Sequence, residues 1–475
     1  MTSGPHQRYQ RQRIDHWDGI ARRSDSWQGL GGHYHRRLDE IFSLIVPAGA
    51  RVLDIGCSDG RLLARLKPSF GVGVDFSVEM IRRARSRHPE LHFIAGDAHD
   101  LPLRGTFDFV ILSDLVNDLW DVQRTLESLR AVCHEGTRVI LNFYSALWEL
   151  PLRMAMGLRL ARRNLDQNWL AHHDVDNLLR LAGFEPVRSW KEILLPLPIP
   201  IVSGLMNRYV AKIWPFSKLD LTTFVVARID PRPRDEKPSV TIVVPARNEA
   251  GNIEMIFETT PEIGSRTELI FVEGHSSDDT FAAIERAIAK YPDRGARLFR
   301  QTGKGKGDAV RLGFEKATGD ILMILDADMT VAPGDLPRFY EAARTRRGEF
   351  INGVRLVYPM EKQAMRLANL AGNRFFSSAF SWIIGQPVKD TLCGTKVLWR
   401  EDYERIAANR AYFGNFDPFG DFDLLFGAAR LHLKIVDLPI RYRERTYGTT
   451  NIQRWRHGVL LLRMVLYAAR RLKFV

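Results

Sequence analysis

Two carboxylates stand one residue apart at the end of an apolar segment in the second half of the chain. The segment ILMIL leads directly into Asp326, Ala327 and Asp328. Carboxylates at positions i and i+2 that leave a buried strand together suit a hard divalent cation shared with phosphate oxygens. Mg²⁺ or Mn²⁺ held there would neutralise the charge on a departing nucleoside diphosphate. A solvated loop with two acids is the alternative interpretation.

The segments that precede this pair strengthen the first interpretation. A strand, VTIVV, runs into a proline turn, and a second apolar segment ends at Glu273. A run of alternating glycines and lysines, residues 303–308, then precedes a helical pattern. Its glycines allow tight backbone geometry, and Lys306 can approach a diphosphate. Because these segments come before Asp326 in βαβ order, they predict a site for a nucleotide sugar.

A second group of acids lies in the first half, around the segment VLDIGCSDG of residues 52–60. It reads as a strand, a glycine-bearing turn and a helix, in which glycine permits positive φ and a close backbone approach to a ligand. Asp75 ends the next strand about twenty residues beyond Asp54, where an acid can bond a ribose. Asp97 closes a third strand, beside an adenine edge. Asp54 and Asp75 acting as helix caps is the alternative.

This segment resembles the VLDIGCGxG motif of class I S-adenosylmethionine-dependent methyltransferases, over roughly Tyr34 to Arg228. The resemblance implies a Rossmann-like fold and S-adenosylmethionine as the cofactor. Ser58 replaces the family's middle glycine, and serine fits this position if its φ is negative. The residues expected to bind the cofactor are Asp54, Gly56, Ser58, Gly60, Asp75, Asp97 and Ala98.

No residue of the first half stands out as a catalytic base, and methyl transfer often requires only positioning of the acceptor. Asp114, Asn117 and Asp118 lie where such enzymes face the methyl group. Polar residues at the end of a strand are just as often part of a solvated loop, which is the alternative interpretation. A domain that no longer transfers methyl groups is a further alternative.

The second half resembles family-two glycosyltransferases of the GT-A fold, from Ser239 to about Arg456. The resemblance assigns the metal motif to Asp326 and Asp328. It implies a nucleotide-sugar site made of Pro245, Ala246, Arg247, Asn248, Glu249, Glu273, Lys306 and Asp326.

Within that family, the later motifs look like polyprenyl-phosphate sugar transferases of the dolichyl-phosphate mannose synthase type. The resemblance implies that the acceptor phosphate is held by Arg355, Arg366, Asn369 and Arg445. The chain departs from the family's pattern at Gly274, His275, Thr330 and Asn451, and the family's membrane helices are missing.

The acceptor determines whether a general base is needed. A phosphate acceptor is already an anion, whereas a hydroxyl acceptor would need a base such as Asp421 or Asp423. The alternative role for these two acids is stabilisation of a helix N-terminus.

Apolar strands alternate with amphipathic helices in both halves, which predicts α/β domains with largely parallel sheets. The proline-rich, charged segment 229–238 is predicted to be a linker. The expected organisation is a polar N-terminal extension (1–29), a methyltransferase-like domain (30–228), the linker, a GT-A domain (239–456) and a basic amphipathic C-terminal helix (457–475).

The chain has 475 residues, a formal net charge of +12 and a pI near 9.7, which favours anionic partners. No motif for binding nucleic acid is recognisable. Three cysteines, a polar start and no apolar run of roughly 18–20 residues favour a cytoplasmic protein. The basic C-terminal helix predicts either peripheral contact with an anionic membrane at its inner face or a helix packed on its own domain.

Together these patterns predict a bifunctional transferase. One half would transfer a sugar, with inversion, from a nucleoside-diphosphate sugar to a polyprenyl phosphate or related acceptor, and the other would methylate an unknown substrate. The alternative is a glycosyltransferase that acts on a glycan or small-molecule hydroxyl, with a non-catalytic S-adenosylmethionine-binding or scaffolding N-terminal domain.

Overall fold

Two seven-stranded sheets organise the part of the chain that the computed structural model describes. The described residues are 4–23, 29–158, 165–231, 236–355, 357, 367–412, 420, 422–443, 445, 447 and 454–474. The chain divides into unit 1, Met1–Asp230 with Phe474–Val475, and unit 2, Pro231–Lys473. Each sheet belongs to one unit, and both units have the α/β folds that the sequence predicts.

Unit 1 is a Rossmann-like sheet with helices between its strands. Its elements are α1 (Pro5–Arg23), α2 (Gly29–Ile45), β1 (Arg51–Ile55), α3 (Arg61–Arg65), β2 (Phe70–Asp75), α4 (Val78–Arg87), β3 (His92–Ala95), β4 (Phe107–Ser113), α5 (Val122–Ser128), β5 (Cys133–Tyr144), α6 (Glu149–Gly157), α7 (His172–Leu181), β6 (Phe184–Glu192), α8 (Val202–Arg208) and β7 (Thr222–Ile229).

The strand order in unit 1 is β3-β2-β1-β4-β5-β7-β6. The first five strands are parallel, while β7 lies antiparallel between β5 and β6. The carboxyl ends of β1, β2, β3 and β4 therefore meet at one edge of the sheet. This edge is where ligands bind in open α/β sheets.

Unit 2 has the strand order β10-β9-β8-β11-β13-β12-β14. Its elements are β8 (Val240–Ala246), α9 (Ile253–Thr259), β9 (Thr267–Glu273), α10 (Thr280–Lys290), β10 (Arg297–Arg300), α11 (Lys306–Lys316), β11 (Ile321–Ile324), α12 (Leu336–Arg344), β12 (Phe350–Val354), α13 (Leu367–Ile384), β13 (Lys396–Trp399), α14 (Arg400–Ala408), α15 (Phe422–Arg430), β14 (Ile435–Pro439) and α16 (Arg454–Ala468), which continues as a π-helix (Ala469–Lys473).

Strands β8, β9, β10 and β11 of unit 2 are parallel, so the turns after β8, β9 and β11 lie at the same edge. One face of the sheet packs against a cluster of apolar residues, most of which are fully buried. Strand residues of the other face, such as Val243, Ile270 and Ile324, are also buried. This arrangement brings the proline turn, the residues after Glu273 and the Asp326–Asp328 pair to one side of unit 2.

The N-terminal segment differs from the predicted polar extension. Residues Pro5–Arg23 form a helix that contacts α4, and Arg13 is only 3% exposed. The sequence pattern missed this packing because α1 is held in part by side-chain bonds from Gln10 to Asp97 and from Arg13 to Asp118, which leave no apolar period in the sequence. Helix α1 thus belongs to unit 1.

The C-terminal helix packs on its own unit through one side. Leu461, Met464 and Ala468 of α16 are buried, and α16 contacts α13. Its other side exposes Leu462, Arg463 and Leu466, among others. The packed-helix interpretation accounts for the buried side. Among the helices of the described residues, none combines the length and apolarity that crossing a membrane requires.

Candidate functional sites

The first site lies at the carboxyl edge of the unit 1 sheet, where a pocket is lined by the turn after β1 and the ends of β2 and β3. Asp75, the last residue of β2, accepts a hydrogen bond from the Ser58 N–H at 2.9 Å and another from the Ser77 N–H at 2.9 Å. Burial raises the pKa of Asp75 to about 6, although these two bonds oppose the shift. Asp75 therefore holds the glycine-bearing turn in place.

Ser58 does not meet the condition under which serine was predicted to fit this position, a negative φ. Its φ is 49°, in the left-handed region that favours glycine. The family's glycine would take this conformation without strain, whereas here the Ser58 N–H is held by the Asp75 carboxylate. Gly56 and Gly60, with φ of 75° and 76°, complete the turn as expected.

Asp54 has surroundings that differ from those of Asp75 and Asp97. It lies inside β1, is 1% exposed, and its Oδ1 is buried without a hydrogen-bond partner among the described residues. Burial raises the pKa of Asp54 to about 8, and the neighbouring Asp75 raises it further. An unpartnered buried acceptor beside the glycine turn fits a cofactor that brings a hydrogen-bond donor, as the amino group of S-adenosylmethionine would.

Asp97 sits in the same pocket as Ala98 and the tip of α1. Its carboxylate accepts a hydrogen bond from the Gln10 side chain and lies 2.6 Å from His99 Nδ1. Burial is the largest influence and opposes ionisation, but the interactions with His99 and the hydrogen bond from Gln10 together outweigh it and lower the pKa of Asp97 to about 2. His6, Asp97 and His99 also form a cluster of metal-ligand types. His99 Nε2 already accepts the Asp121 N–H at 3.2 Å, so both ring nitrogens are engaged.

The three polar residues expected near the methyl group have different partners. Asn117 is part of the framework, since its side chain donates to the Asn168 carbonyl at 2.7 Å and accepts the Tyr144 N–H at 3.1 Å. Asp118 accepts from Arg13 at 3.1 Å and from Trp17 at 3.2 Å, both on α1. These two side chains are therefore held by structural contacts.

Asp114 retains a free acceptor. Its Oδ1 accepts from the Tyr34 hydroxyl at 2.9 Å and from Asn142 Nδ2 at 2.6 Å, while its Oδ2 is buried without a partner among the described residues. Its φ is 53°, an unfavourable value outside glycine that is often found at functional sites. Burial raises the pKa of Asp114 to about 7, despite the bonds from Tyr34 and Asn142. A carboxyl that titrates near neutrality suits a proton acceptor.

The second site, in unit 2, brings the two predicted metal-binding carboxylates together with two cations. Lys306 Nζ lies 2.6 Å from Asp326 Oδ1, and Arg445 Nη2 lies 2.7 Å from Asp328 Oδ2. Asp328 also accepts the Thr330 hydroxyl at 2.8 Å. Each carboxylate is thus paired with a cation that could instead contact phosphate.

The turns after β8 and β9 support this pair from the side. The Asn248 N–H donates to Ser276 Oγ at 3.0 Å, and Glu273 accepts the Ser276 N–H at 2.5 Å. Glu249 accepts from Arg445 Nη1 at 3.1 Å, so Arg445 bridges the proline turn to Asp328. Burial raises the pKa of Glu249, and Arg445 partly offsets that shift.

Pro245 and Ala246 are the last residues of β8, and Arg247 follows with its side chain exposed. The structure thus places the described members of the expected nucleotide-sugar set on one edge of the sheet. A binding role for each remains a prediction.

Gly394 belongs to this site, although the sequence pattern predicts no role for it. A Cβ at this position would overlap both Asp326 Oδ2 and Lys306 Nζ. A side chain at residue 394 would therefore displace Asp326 and Lys306. No sequence periodicity reveals this contact, since residue 394 is distant in the chain from residues 306 and 326.

The residues expected to hold the acceptor phosphate do not form one described group. Arg355 makes a double ion pair with Asp390, with Nε–Oδ2 at 2.7 Å and Nη2–Oδ1 at 2.9 Å. Arg355 is buried, which lowers its pKa, but the neighbouring Asp390 carboxylate outweighs burial and raises the pKa of Arg355 above its usual value. Arg445 lies in the donor site. Arg366 and the side chain of Asn369 are outside the described residues, as is Asn451.

The acids proposed as a base for a hydroxyl acceptor are only partly described. Asp423 lies in the first turn of α15 and is paired with Arg311 at 2.9 Å and with Arg410 at 3.4 Å. This position agrees with the helix N-terminus interpretation. Asp421 lies outside the described residues. Gly420 packs directly on Gly307, so the start of α15 lies beside the start of α11, where Lys306 is located.

The carboxylates of unit 2 fit a metal that also binds phosphate. Among the described residues, the only group of three or more metal-ligand side chains is the His6 cluster of unit 1, so Asp326 and Asp328 offer at most a partial site by themselves. Mg²⁺ typically uses one or two carboxylates and completes its coordination with phosphates and water. The donor set of Asp326 and Asp328 therefore fits a metal that arrives with a diphosphate.

Comparisons with known proteins agree with the two halves. Residues 52–136 match the family described as Methyltransferase domain, and residues 241–407 match Glycosyl transferase family 2. The first match includes the glycine turn, Asp75, Asp97 and Asp114. The second includes the proline turn and the Asp326–Asp328 pair.

Curated proteins similar to this chain are named as sugar transferases. Glycosyltransferase AglJ from Haloferax volcanii is 28% identical over 47% of this chain and 69% of its own length. Dolichol-phosphate mannosyltransferase from Pyrococcus furiosus is 32% identical over 45% of this chain and 59% of its own length. An undecaprenyl-phosphate 4-deoxy-4-formamido-L-arabinose transferase from Pectobacterium carotovorum is 29% identical over 23% of this chain and 35% of its own length. The chain thus spans about a third to two thirds of these relatives.

Two solved structures resemble parts of the chain at low similarity. A putative methyltransferase in complex with Trm112 from Haloferax volcanii has a TM-score of 0.36 and 19% identity, and it covers 47% of this chain and 99% of that chain. Glucosyl-3-phosphoglycerate synthase from Mycobacterium tuberculosis, in complex with Mn²⁺ and UDP, has a TM-score of 0.35 and 20% identity. The match covers 50% of this chain and 80% of that chain.

Proposed function

Because the chain joins a methyltransferase domain to a family 2 glycosyltransferase domain, we propose that it modifies a polyprenyl-linked glycan with both activities. Unit 2 transfers a sugar, with inversion, from a nucleoside-diphosphate sugar to a polyprenyl phosphate. Unit 1 transfers a methyl group from S-adenosylmethionine to a related glycolipid. The observation that carries the proposal is the pairing of Asp326 with Lys306 and of Asp328 with Arg445.

This pairing describes a site prepared for a diphosphate. Lys306 and Arg445 neutralise the two carboxylates before the donor enters, and both cations are then available to bind the α- and β-phosphates. A bound Mg²⁺ or Mn²⁺ would stabilise negative charge on the leaving diphosphate. Glu249 keeps Arg445 beside the proline turn, so that its guanidinium stays oriented toward the donor.

The acceptor class is supported by the names of two relatives, which are polyprenyl-phosphate sugar transferases. An ionised phosphate attacks the sugar without a general base, so neither Asp421 nor Asp423 is required. A hydroxyl acceptor is the second candidate. It is favoured by the ion pair of Arg355 with Asp390, which occupies a cation expected to bind the acceptor phosphate.

In unit 1 we assign proton acceptance to Asp114. The unpartnered Oδ2 can accept a proton from a hydroxyl acceptor while Tyr34 and Asn142 hold Oδ1. Methyl transfer should then increase as the pH rises through about 7, where Asp114 ionises. Replacement of Asp114 by asparagine should remove this dependence.

The test is a donor screen with purified full-length protein, followed by mass spectrometry of the lipid products. Assorted nucleotide sugars, Mn²⁺ and a short polyprenyl phosphate are supplied, and an alkyl glycoside replaces the polyprenyl phosphate in a parallel reaction. A glycosylated polyprenyl phosphate whose formation stops on chelation supports the proposal. Product on the glycoside alone supports the second candidate, and no product with any donor contradicts both.

A further inference from the structure

Unit 1 exposes apolar side chains on two segments that leave its sheet at one edge. The first is α6 with its flanking residues. Leu147, Leu150, Met154 and Leu158 follow each other at spacings of three or four residues and form one exposed stripe. Leu150 is 71% exposed. The opposite side of α6 packs on the core through Leu152. The helix is thus apolar both toward the core and toward solvent.

The second segment is residues 193–219, between β6 and β7, and includes α8. Ile201 is 81% exposed and Trp214 is 73% exposed, and the further exposed apolar residues are Leu197, Ile199, Val202, Leu205, Tyr209, Ile213, Phe216 and Leu219. The two segments are joined, since Trp148 Nε1 donates to the Leu219 carbonyl at 2.7 Å. Large continuous apolar surfaces are rarely exposed on monomeric soluble proteins and mark sites of interaction.

The exposed charges of residues 193–219 are all positive. This segment contains no acidic residue, and Arg208 and Lys218 are exposed there. In residues 145–158, which include α6, the charged residues are Glu149 and Arg153, and they pair with each other at 2.9 Å. Aliphatic and aromatic side chains bordered by arginine and lysine match the headgroup region of an anionic bilayer, where the cations contact lipid phosphates. A neutral protein partner would give no reason for the missing acids.

The position of the surface also fits a lipid. Tyr144, at the end of β5, pairs with Thr222, and Thr222 pairs with Glu192 at the end of β6. Both segments therefore leave the sheet at its carboxyl edge, which also holds the glycine turn and Asp114. Docking of this surface would bring the cofactor edge toward the headgroups.

We propose that this surface, α6 with residues 193–219, docks unit 1 on an anionic lipid bilayer. The docking rests on the exposed side chains and goes beyond the proposed function, since it holds whichever group the protein transfers. It also differs from the membrane contact predicted for α16, which belongs to unit 2.

The test is flotation of the full-length protein with vesicles of phosphatidylcholine mixed with phosphatidylglycerol. The variant Leu150→Glu/Met154→Glu/Trp214→Glu should bind at least about tenfold more weakly, because it places three anions in the bilayer interface. The matched control Leu181→Glu changes an exposed leucine at the end of α7, next to the start of β6 and thus at the opposite edge of the sheet. It should bind like the wild type. Vesicles of phosphatidylcholine alone, or added salt, should weaken wild-type binding.

Other outcomes contradict the proposal. Unchanged flotation of the triple variant would do so, as would loss of flotation only in a Leu462→Glu/Leu466→Glu variant of α16. If the wild type is a dimer that the triple variant disrupts, and neither floats, the surface is instead an interface between copies. Retained binding of S-adenosylhomocysteine shows that the triple variant is folded, and its sugar transfer in detergent is measured separately from flotation.

Discussion

Asp326 and Asp328 differ from ordinary loop acids in the cations that hold them. Lys306 and Arg445 come from a glycine-rich loop and from the C-terminal part of unit 2, yet both reach the same strand end. The residue types at these positions could be predicted from the D-x-D pattern and the glycine–lysine loop. Their pairing could not, because Arg445 lies 117 residues from Asp328 in the chain.

Gly394 allows a test of how precisely Asp326 and Lys306 must be positioned. In Gly394→Ala the added methyl group overlaps Asp326 and Lys306 and displaces them. Displacement of about 1 Å at a catalytic site costs about 100-fold in turnover, and we expect a loss of that order in sugar transfer. Gly372→Ala is the control, because a Cβ there meets open space. Equal rates for both variants would show that residue 394 does not limit the site.

Asp75 allows a corresponding test in unit 1. In Asp75→Ala the Ser58 and Ser77 N–H groups lose their acceptor, and any bond to the ribose hydroxyls is lost. Calorimetry should show S-adenosylmethionine binding weakened by about 1.5–3 kcal/mol, the range for a hydrogen bond to a charged group. Unchanged affinity would remove Asp75 from the cofactor site.

At the scale of elements, the strands that carry both sites follow from sequence. Their short apolar runs alternate with amphipathic helices, and parallel pairing then places β1, β2 and β3, and likewise β8, β9 and β11, with their carboxyl ends together. Helix α1 could not be placed in this way. Its role depends on side-chain bonds from Gln10 and Arg13 to Asp97 and Asp118, which leave no periodic apolar signal.

The packing of helix α1 on unit 1 should depend on Arg13 more than on the other arginines of the helix. Arg13→Ala removes the ion pair with Asp118 and leaves that carboxylate without this partner, so α1 should open more often. Hydrogen exchange of residues 5–23 should increase, and binding of S-adenosylhomocysteine should weaken. Arg11→Ala, which removes an exposed arginine from the same helix, should change neither. If the two variants exchange alike, α1 does not form part of the pocket.

At the scale of the whole molecule, unit 1 contains buried carboxyl groups whose charge opposes folding. Burial raises the pKa of Asp54 to about 8, of Asp114 to about 7 and of Asp220 to about 8. In the unfolded chain an aspartate titrates near 4. Between about pH 4 and pH 8 the folded unit therefore holds more protons than the unfolded chain, so its stability decreases as the pH rises.

We expect the melting temperature of unit 1 to fall between about pH 5 and about pH 8. Scanning calorimetry of the full-length protein measures it, and the transition that shifts with S-adenosylhomocysteine is assigned to unit 1. Asp220→Asn should reduce the pH dependence, because it replaces a buried carboxyl that titrates with an amide that is uncharged at every pH. Asp100→Asn, at an exposed position, should not. A melting temperature that rises over this range would contradict the raised pKa values.

The most direct test of metal-dependent sugar transfer compares Asp328→Ala with Asp335→Ala in the polyprenyl-phosphate assay. Asp335 is a carboxylate of the same unit that pairs with Arg338. Because stabilisation of the leaving diphosphate increases in the transition state, Asp328→Ala should reduce turnover by about 10³-fold and affect donor binding less. Chelation should reproduce this loss in the wild type, and Mn²⁺ should reverse it. Asp335→Ala should transfer sugar normally, and both variants should bind S-adenosylmethionine as the wild type does. Wild-type turnover by Asp328→Ala, with or without chelator, would contradict the assignment of this site.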